Sequence, residues 1–128
     1  KGVKQKLPVI STDKILDIAL KAVETAMDKK AINPVVLDLK DISIIADYFI
    51  ILTGHSLVQN RAIADAIQME LKEENLTMRR EGYEDGTWIL MDYGHIVIHI
   101  FQDSTRDYYD IEGLWGDAGR VSLPEFIE

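Results

Sequence analysis

Asp38, Asp92, His95 and His99 are the residues of this chain whose chemistry suits metal binding or proton transfer. Their spacing does not support a site. His95 and His99 lie four apart on one predicted strand, on the same face but ~13 Å apart by strand rise, too far for one ion. Gly54-His55-Ser56 stands before a predicted helix and could turn backbone N–H groups towards a phosphate. It is a weak signal that lacks the glycine and lysine pattern of a P-loop, and a strand–helix turn with Ser56 as N-cap explains it better. Ser56 has no evident base nearby in sequence, so nucleophilic catalysis is unsupported. With no cysteine, disulfides and thiolate metal sites are excluded.

Recognition is the other chemistry on offer. Residues 82–101 read as a β-hairpin that interleaves Trp88, Asp92 and His99 with aliphatics. Strand side chains alternate between faces. Ile89 and Met91 therefore join Ile96, Ile98 and Ile100 on a core face. Trp88, Leu90 and Asp92 join His95, Val97, His99 and Phe101 on the other, with Asp38 expected beside them from an earlier strand. That mixed face reads as a recognition surface with an aromatic centre and a polar surround. It reads equally as a half-wet sheet face with Trp88 and Phe101 covered by the tail. In the last helix, Asp103, Asp107 and Asp110 form an acidic side, and Tyr108, Ile111 and Trp115 cluster about a third of a turn away. Arg106 and Asp110 are placed to pair at i, i+4. The aromatics either anchor this helix or meet a partner.

The elements that must hold these residues follow from periodicity. Ser11 or Thr12 caps a helix with a stripe of Ile15, Ile18, Ala19, Ala22, Val23 and Ala26, ending near Lys29 and Lys30. Asn33-Pro34 breaks the chain. A first strand covers 35–39, with Val35, Leu37 and Leu39 on one face and Asp38 on the other. The apolar run 48–53 predicts a central strand. A second helix follows Ser56, with Ile63, Ala64, Ile67 and Leu71 buried. A short strand at 78–83, hairpin strands at 87–93 and 95–101, and a last helix from a Ser104 cap to about Trp115 complete the order. The fold class is α/β or α+β: a mixed five-stranded sheet with helices mainly on one face. Residues 1–10 read as a leader, 11–119 as a single domain and 120–128 as a C-terminal tail.

Composition limits the partners. A chain of 128 residues with 47% hydrophobic content suits one folded domain. Fourteen Lys and Arg against 22 Asp and Glu leave a net charge of −8. That disfavours bare nucleic acid or an anionic membrane as direct partner and favours a basic one, or simply solubility. No apolar run approaches the ~20 residues of a membrane span, and no signal-peptide pattern precedes the fold.

The segments ADYFIILTGHS (46–56), RAIAD (61–65), EGYEDGTW (81–88), LMDYG (90–94), HIF (99–101) and TRDYYDIEGLWGDA (105–118) closely resemble the ribosomal silencing factor, or Iojap-like, family. The likeness spans about residues 12–120, and the ending around YYDIEGLWGDA is its most specific part. His55, Asn60 and Gly119 depart from the usual family residues. The resemblance implies a nucleotidyltransferase-like fold, a frequent homodimer, and binding to the large ribosomal subunit through its protein fourteen. It further implies that bulk, not catalysis, blocks joining of the small subunit and damps translation. On this view Tyr83, Trp88, Asp92, Tyr93, His99, Asp107, Tyr108 and Trp115 are the candidate partner contacts. Asp47 and Tyr48 match the family motif and serve either contact or architecture. No cofactor or metal, no direct nucleic acid and no membrane contact is implied. The expected place is the bacterial cytoplasm, with an organellar matrix as the other setting. An alternative is a metal-dependent nucleotidyltransferase remnant using Asp38, Asp92 and His99. Its chemistry needs two close strand carboxylates to hold magnesium, and Asp92 has no acidic residue two positions away. A third reading is an adaptor whose open face forms its own homodimer.

Overall fold

The computed structural model describes residues 12–125. The predicted leader (1–10) lies outside the described residues. The first helix, α1 (Thr12–Asp28), buries the predicted stripe from Ile15 to Ala26. Strand β1 (Ile32–Asp38) starts earlier than expected, because Asn33-Pro34 does not break the chain. Asn33 takes a left-handed conformation (φ 52°), and the pairing with the next strand slips between Ile32 and Val35. A bulge there accommodates a proline that has no N–H to give a ladder.

Strand β2 (Tyr48–Thr53) is buried throughout, as a central strand must be. Helix α2 (Leu57–Glu70) begins at Ser56, whose hydroxyl accepts from the Gln59 N–H at 3.0 Å. Gly54 in the preceding turn is required by a close approach. A Cβ there would stand 2.1 Å from Oδ1 of Asn60. Asn60 interrupts the aliphatic helix face for a reason: its buried amide donates to the Gly86 carbonyl at 2.8 Å and ties α2 to the loop before the hairpin.

Strands β3 (Arg79–Glu81), β4 (Trp88–Asp92) and β5 (Ile96–Phe101) follow. The expected single last helix is two, α3 (Asp103–Tyr109) and α4 (Ile111–Leu114). The N-cap of α3 is Gln102, not Ser104. The chain turns at Asp110, which is left-handed (φ 45°).

The sheet has six strands where five were expected, in the order β3-β4-β5-β2-β1-β6. The sixth, β6 (Gly119–Arg120), pairs antiparallel with Leu37 and Asp38. The Val121 N–H then bonds the Val36 carbonyl at 2.9 Å, so the start of the predicted tail is part of the sheet edge. β2 and β5 are parallel and the other pairs antiparallel, which makes the sheet mixed and the fold α+β.

The long helices α1 and α2 cover one face over a core of Tyr48, Ile50, Leu52, Ile89, Met91 and the isoleucines of β5. The opposite face carries Leu37, Phe49, Ile51, Val97 and Phe101, with Ile111 and Trp115 of the final helical corner packed on it. Asp38 belongs to the helix-side face, not to the Trp88 face. In alternation with Leu37 it pairs opposite Tyr48, and its carboxylate holds Lys40 at 2.8 Å.

Candidate docking face

The face opposite the long helices is built around Trp88 and His99. Trp88 stands opposite Phe101 in the β4–β5 ladder, and His99 opposite Leu90. All four side chains therefore leave the sheet on one side. The Trp88 indole N–H donates to Nδ1 of His99 at 3.1 Å. Phe49 of β2 meets the His99 ring edge-on, with centroids 4.7 Å apart, and meets Trp115 at 5.8 Å. Trp88 also contacts Phe101 at 4.9 Å and Tyr109 at 4.8 Å.

His99 is only 4% exposed. Burial pushes its pKa down to about 4, so it is neutral at pH 7. Because Nδ1 accepts from Trp88, the proton of the neutral ring sits on Nε2. The ring serves as a fixed, uncharged plate between Phe49, Phe101 and Trp88.

The outer wall is the α3–α4 corner. Arg106 is buried, and its guanidinium grips Glu112 through Nε (3.1 Å) and Nη2 (2.8 Å). Its Nη1 donates to the Thr53 hydroxyl at the end of β2 at 2.9 Å. The Arg106 hydrogen bonds hold the Glu112 carboxyl below its ordinary pKa. The predicted Arg106–Asp110 pair does not form. Asp110 instead caps α4, accepting from the Gly113 N–H at 3.1 Å. This corner sets Tyr109 on Trp88 and Trp115 on Phe49. It leaves Tyr108 and Leu114 80% and 78% exposed beside acidic Asp103, Asp107 and Asp110.

The eight predicted contact residues fall into three places. Trp88, His99 and Trp115 meet in the aromatic wall, with Asp107 and Tyr108 on the exposed rim of α3. Asp92 lies on the same strand face, two steps beyond Leu90, where it accepts from the Gly94 N–H at 2.8 Å and faces Arg79 at 3.8 Å. Tyr83 and Tyr93 are on the helix side. Tyr83 donates to Asp65 at 2.8 Å beneath the Arg80 guanidinium, and Tyr93 is buried. Sequence reasoning missed Phe49 and Tyr109, and gave Arg106 the wrong partner. Phe49 had a signal in the strand alternation of 48–53. Tyr109 was hidden by treating 104–115 as one straight helix.

The catalytic constellation does not assemble. Asp38 is on the opposite sheet face from His99, and His95 pairs with Asp47 at 3.2 Å in a turn. Among the described residues, no group of three or more His, Cys, Asp or Glu is placed to hold a metal ion. No helix among them is long and apolar enough to cross a membrane.

The fold is an open mixed sheet with its two long helices on one face and the ring-lined face on the other, and comparison with known proteins gives the family. Residues 12–128 match the family described as ribosomal silencing factor during starvation. The ribosomal silencing factor RsfS of Halalkalibacterium halodurans is 43% identical over 119 residues, covering 92% of this chain and 99% of that protein. The chloroplastic protein Iojap of Arabidopsis thaliana is 29% identical over 85% of this chain and 46% of its own length. A Chromobacterium violaceum crystal structure superposes with a TM-score of 0.77 at 36% identity, covering 89% of this chain and 92% of that one. The chain belongs to the ribosomal silencing factor (Iojap-like) family.

Proposed function

We propose that this chain is a regulatory factor that represses translation by docking its aromatic face on the large ribosomal subunit, at ribosomal protein fourteen, and blocking the small subunit by bulk. The observation that carries the reading is the ring-lined face around Trp88, Tyr109 and Trp115, bordered by Asp103, Asp107 and Asp110. Aromatic centres with charged rims suit protein recognition, and an acidic rim complements a basic ribosomal protein. The overall charge of −8 works in the same direction. Trp88, Tyr108, Tyr109 and Trp115 supply the apolar contacts, and Asp107 belongs to the acidic border. His99 acts beneath them by holding Trp88. The setting proposed is the bacterial cytoplasm, with a homodimer as a further state of the free protein.

Sedimentation of mixed ribosomal subunits with added protein tests the proposal. The expected result is fewer joined particles as the factor rises, with the factor travelling on the large subunit. An unchanged joined fraction at saturation refutes it. Trp88→Ala is expected to weaken large-subunit binding by ~2 kcal/mol if Trp88 is a central anchor.

A further inference from the structure

The exposed apolar side chains of this molecule are not scattered. Among the described residues, the large ones fall mostly in two segments: Ile42, Ile44 and Ile45 between β1 and β2, and Tyr108, Tyr109 and Leu114 at the α3–α4 corner. Isolated surface hydrophobics need no explanation, but clusters mark contact surfaces. The corner is part of the aromatic face, whereas the isoleucine loop (residues 40–45) is a separate outgrowth.

The loop springs from the same side of the sheet. Its two ends, Leu39 and Ala46, are buried in the cluster that holds Phe49 and Ile111 and on which Trp115 packs. The Leu39 N–H closes the neck on the Asp47 carbonyl at 2.8 Å, and the Leu39 carbonyl accepts from the N–H groups of Ile42 and Ser43. The Ser43 hydroxyl accepts from the Ile45 N–H at 3.0 Å. These bonds fold the tip as a turn, so consecutive residues do not alternate between core and solvent: Ile44 is 88% exposed and Ile45 64%. Solvated turns favour Gly, Asn, Asp and Ser, so three isoleucines here answer to something other than the turn. A tip already held in shape loses little freedom when it binds.

Charge around the loop selects the occupant. Lys40 is engaged by Asp38 at 2.8 Å and by the Tyr48 hydroxyl at 2.9 Å, while the exposed Asp41 has no ion-pair partner among the described residues. A second copy of a chain with net charge −8 would bring acid against acid, and the phosphates of rRNA would be repelled. A basic protein surface with an apolar recess is complementary. We propose that the isoleucine loop is a second arm of the docking surface, with Ile44 and Ile45 entering an apolar recess on the same basic ribosomal protein that takes the aromatic face. This inference rests on the docking function proposed above and adds a contact to it.

Ile44→Ser combined with Ile45→Ser removes the apolar tip and keeps the turn. The melting temperature of the free chain is expected to stay at the parent's value, because both side chains are solvated there. Affinity for purified large subunits, read by sedimentation, is expected to fall about ten-fold. Val58→Ser, at a residue 70% exposed on α2, is the control and is expected to bind as the parent does. In a full chain carrying Ile44→p-benzoylphenylalanine and bound to large subunits, ultraviolet light is expected to join position 44 to protein fourteen. Unchanged affinity of the double variant overturns the assignment of the loop. So does the absence of an adduct, or an adduct with rRNA, with another ribosomal protein or with a second copy of the chain. If Trp88→Ala still weakens binding in that event, the aromatic docking face stands without the loop. If the parent itself does not bind large subunits, both fall.

Discussion

Trp88 and His99, on neighbouring antiparallel strands, are joined by a single hydrogen bond of 3.1 Å from the indole N–H to Nδ1. The bond fixes the histidine tautomer and the tilt of the tryptophan together, so the aromatic face is held by a polar link as well as by packing. Trp88→Phe retains most of the ring contact and deletes the donor. It is expected to cost about 1–2 kcal/mol, because Nδ1 of a buried ring is then left unsatisfied. Urea denaturation of the two proteins measures this. A variant as stable as the parent means that the link contributes nothing.

The same histidine makes stability depend on pH. Its folded pKa of about 4 lies below the ordinary 6.5, so the unfolded chain binds the extra proton first as pH falls. Stability from this group is therefore whole above about pH 6.5 and declines towards pH 4, by ~3 kcal/mol at most for a shift of that size. His99→Gln removes the titrating group. Its stability profile is expected to be flatter than the parent's between pH 6.5 and 4 in equilibrium unfolding. Parallel profiles would falsify the assignment of the slope to His99.

Arg106 clamps the final helical corner to the end of the central strand through Glu112 and Thr53. Arg106→Met keeps the stem and strands a partly buried carboxylate. A loss of about 2–3 kcal/mol is expected, less than for a fully buried pair because Glu112 retains some exposure. The Trp88 and Trp115 fluorescence should redden as the corner loosens. Emission and stability both unchanged would show that packing alone holds the corner.

Gly54 faces Oδ1 of Asn60 with no room for a methyl group, at 2.1 Å from where a Cβ would sit. Gly54→Ala must displace the side chain that bonds the Gly86 carbonyl. A loss of about 2–4 kcal/mol is expected, from strain together with the broken buried hydrogen bond. Gly54→Ala combined with Asn60→Ala should recover part of it, since the clash is gone. Calorimetry of the single and double variants checks the coupling, and strictly additive losses would argue against direct contact.

Short-range periodicity carried much of the architecture. The stripe of α1, the apolar run of β2, the Ser56 cap of α2 and the two-faced hairpin are each written in neighbouring residues, because burial follows the repeat of the element. The family, too, was legible in the motifs of residues 46–118. Trp88 and His99 could be assigned to one face from alternation alone.

Tertiary structure decided the rest. A two-residue strand such as β6 has no periodicity to read and exists only because the edge of β1 offers it partners. Asn33 keeps β1 going through a proline because a bulge, stabilised by the neighbouring strand, absorbs the irregularity. The left-handed turn at Asp110 moves Arg106 from its helical neighbour to Glu112 and lays Tyr109 on Trp88. Local spacing tells which residues share a face. Which faces meet depends on contacts between residues far apart in the chain, and those are settled only when the sheet and its helices dock.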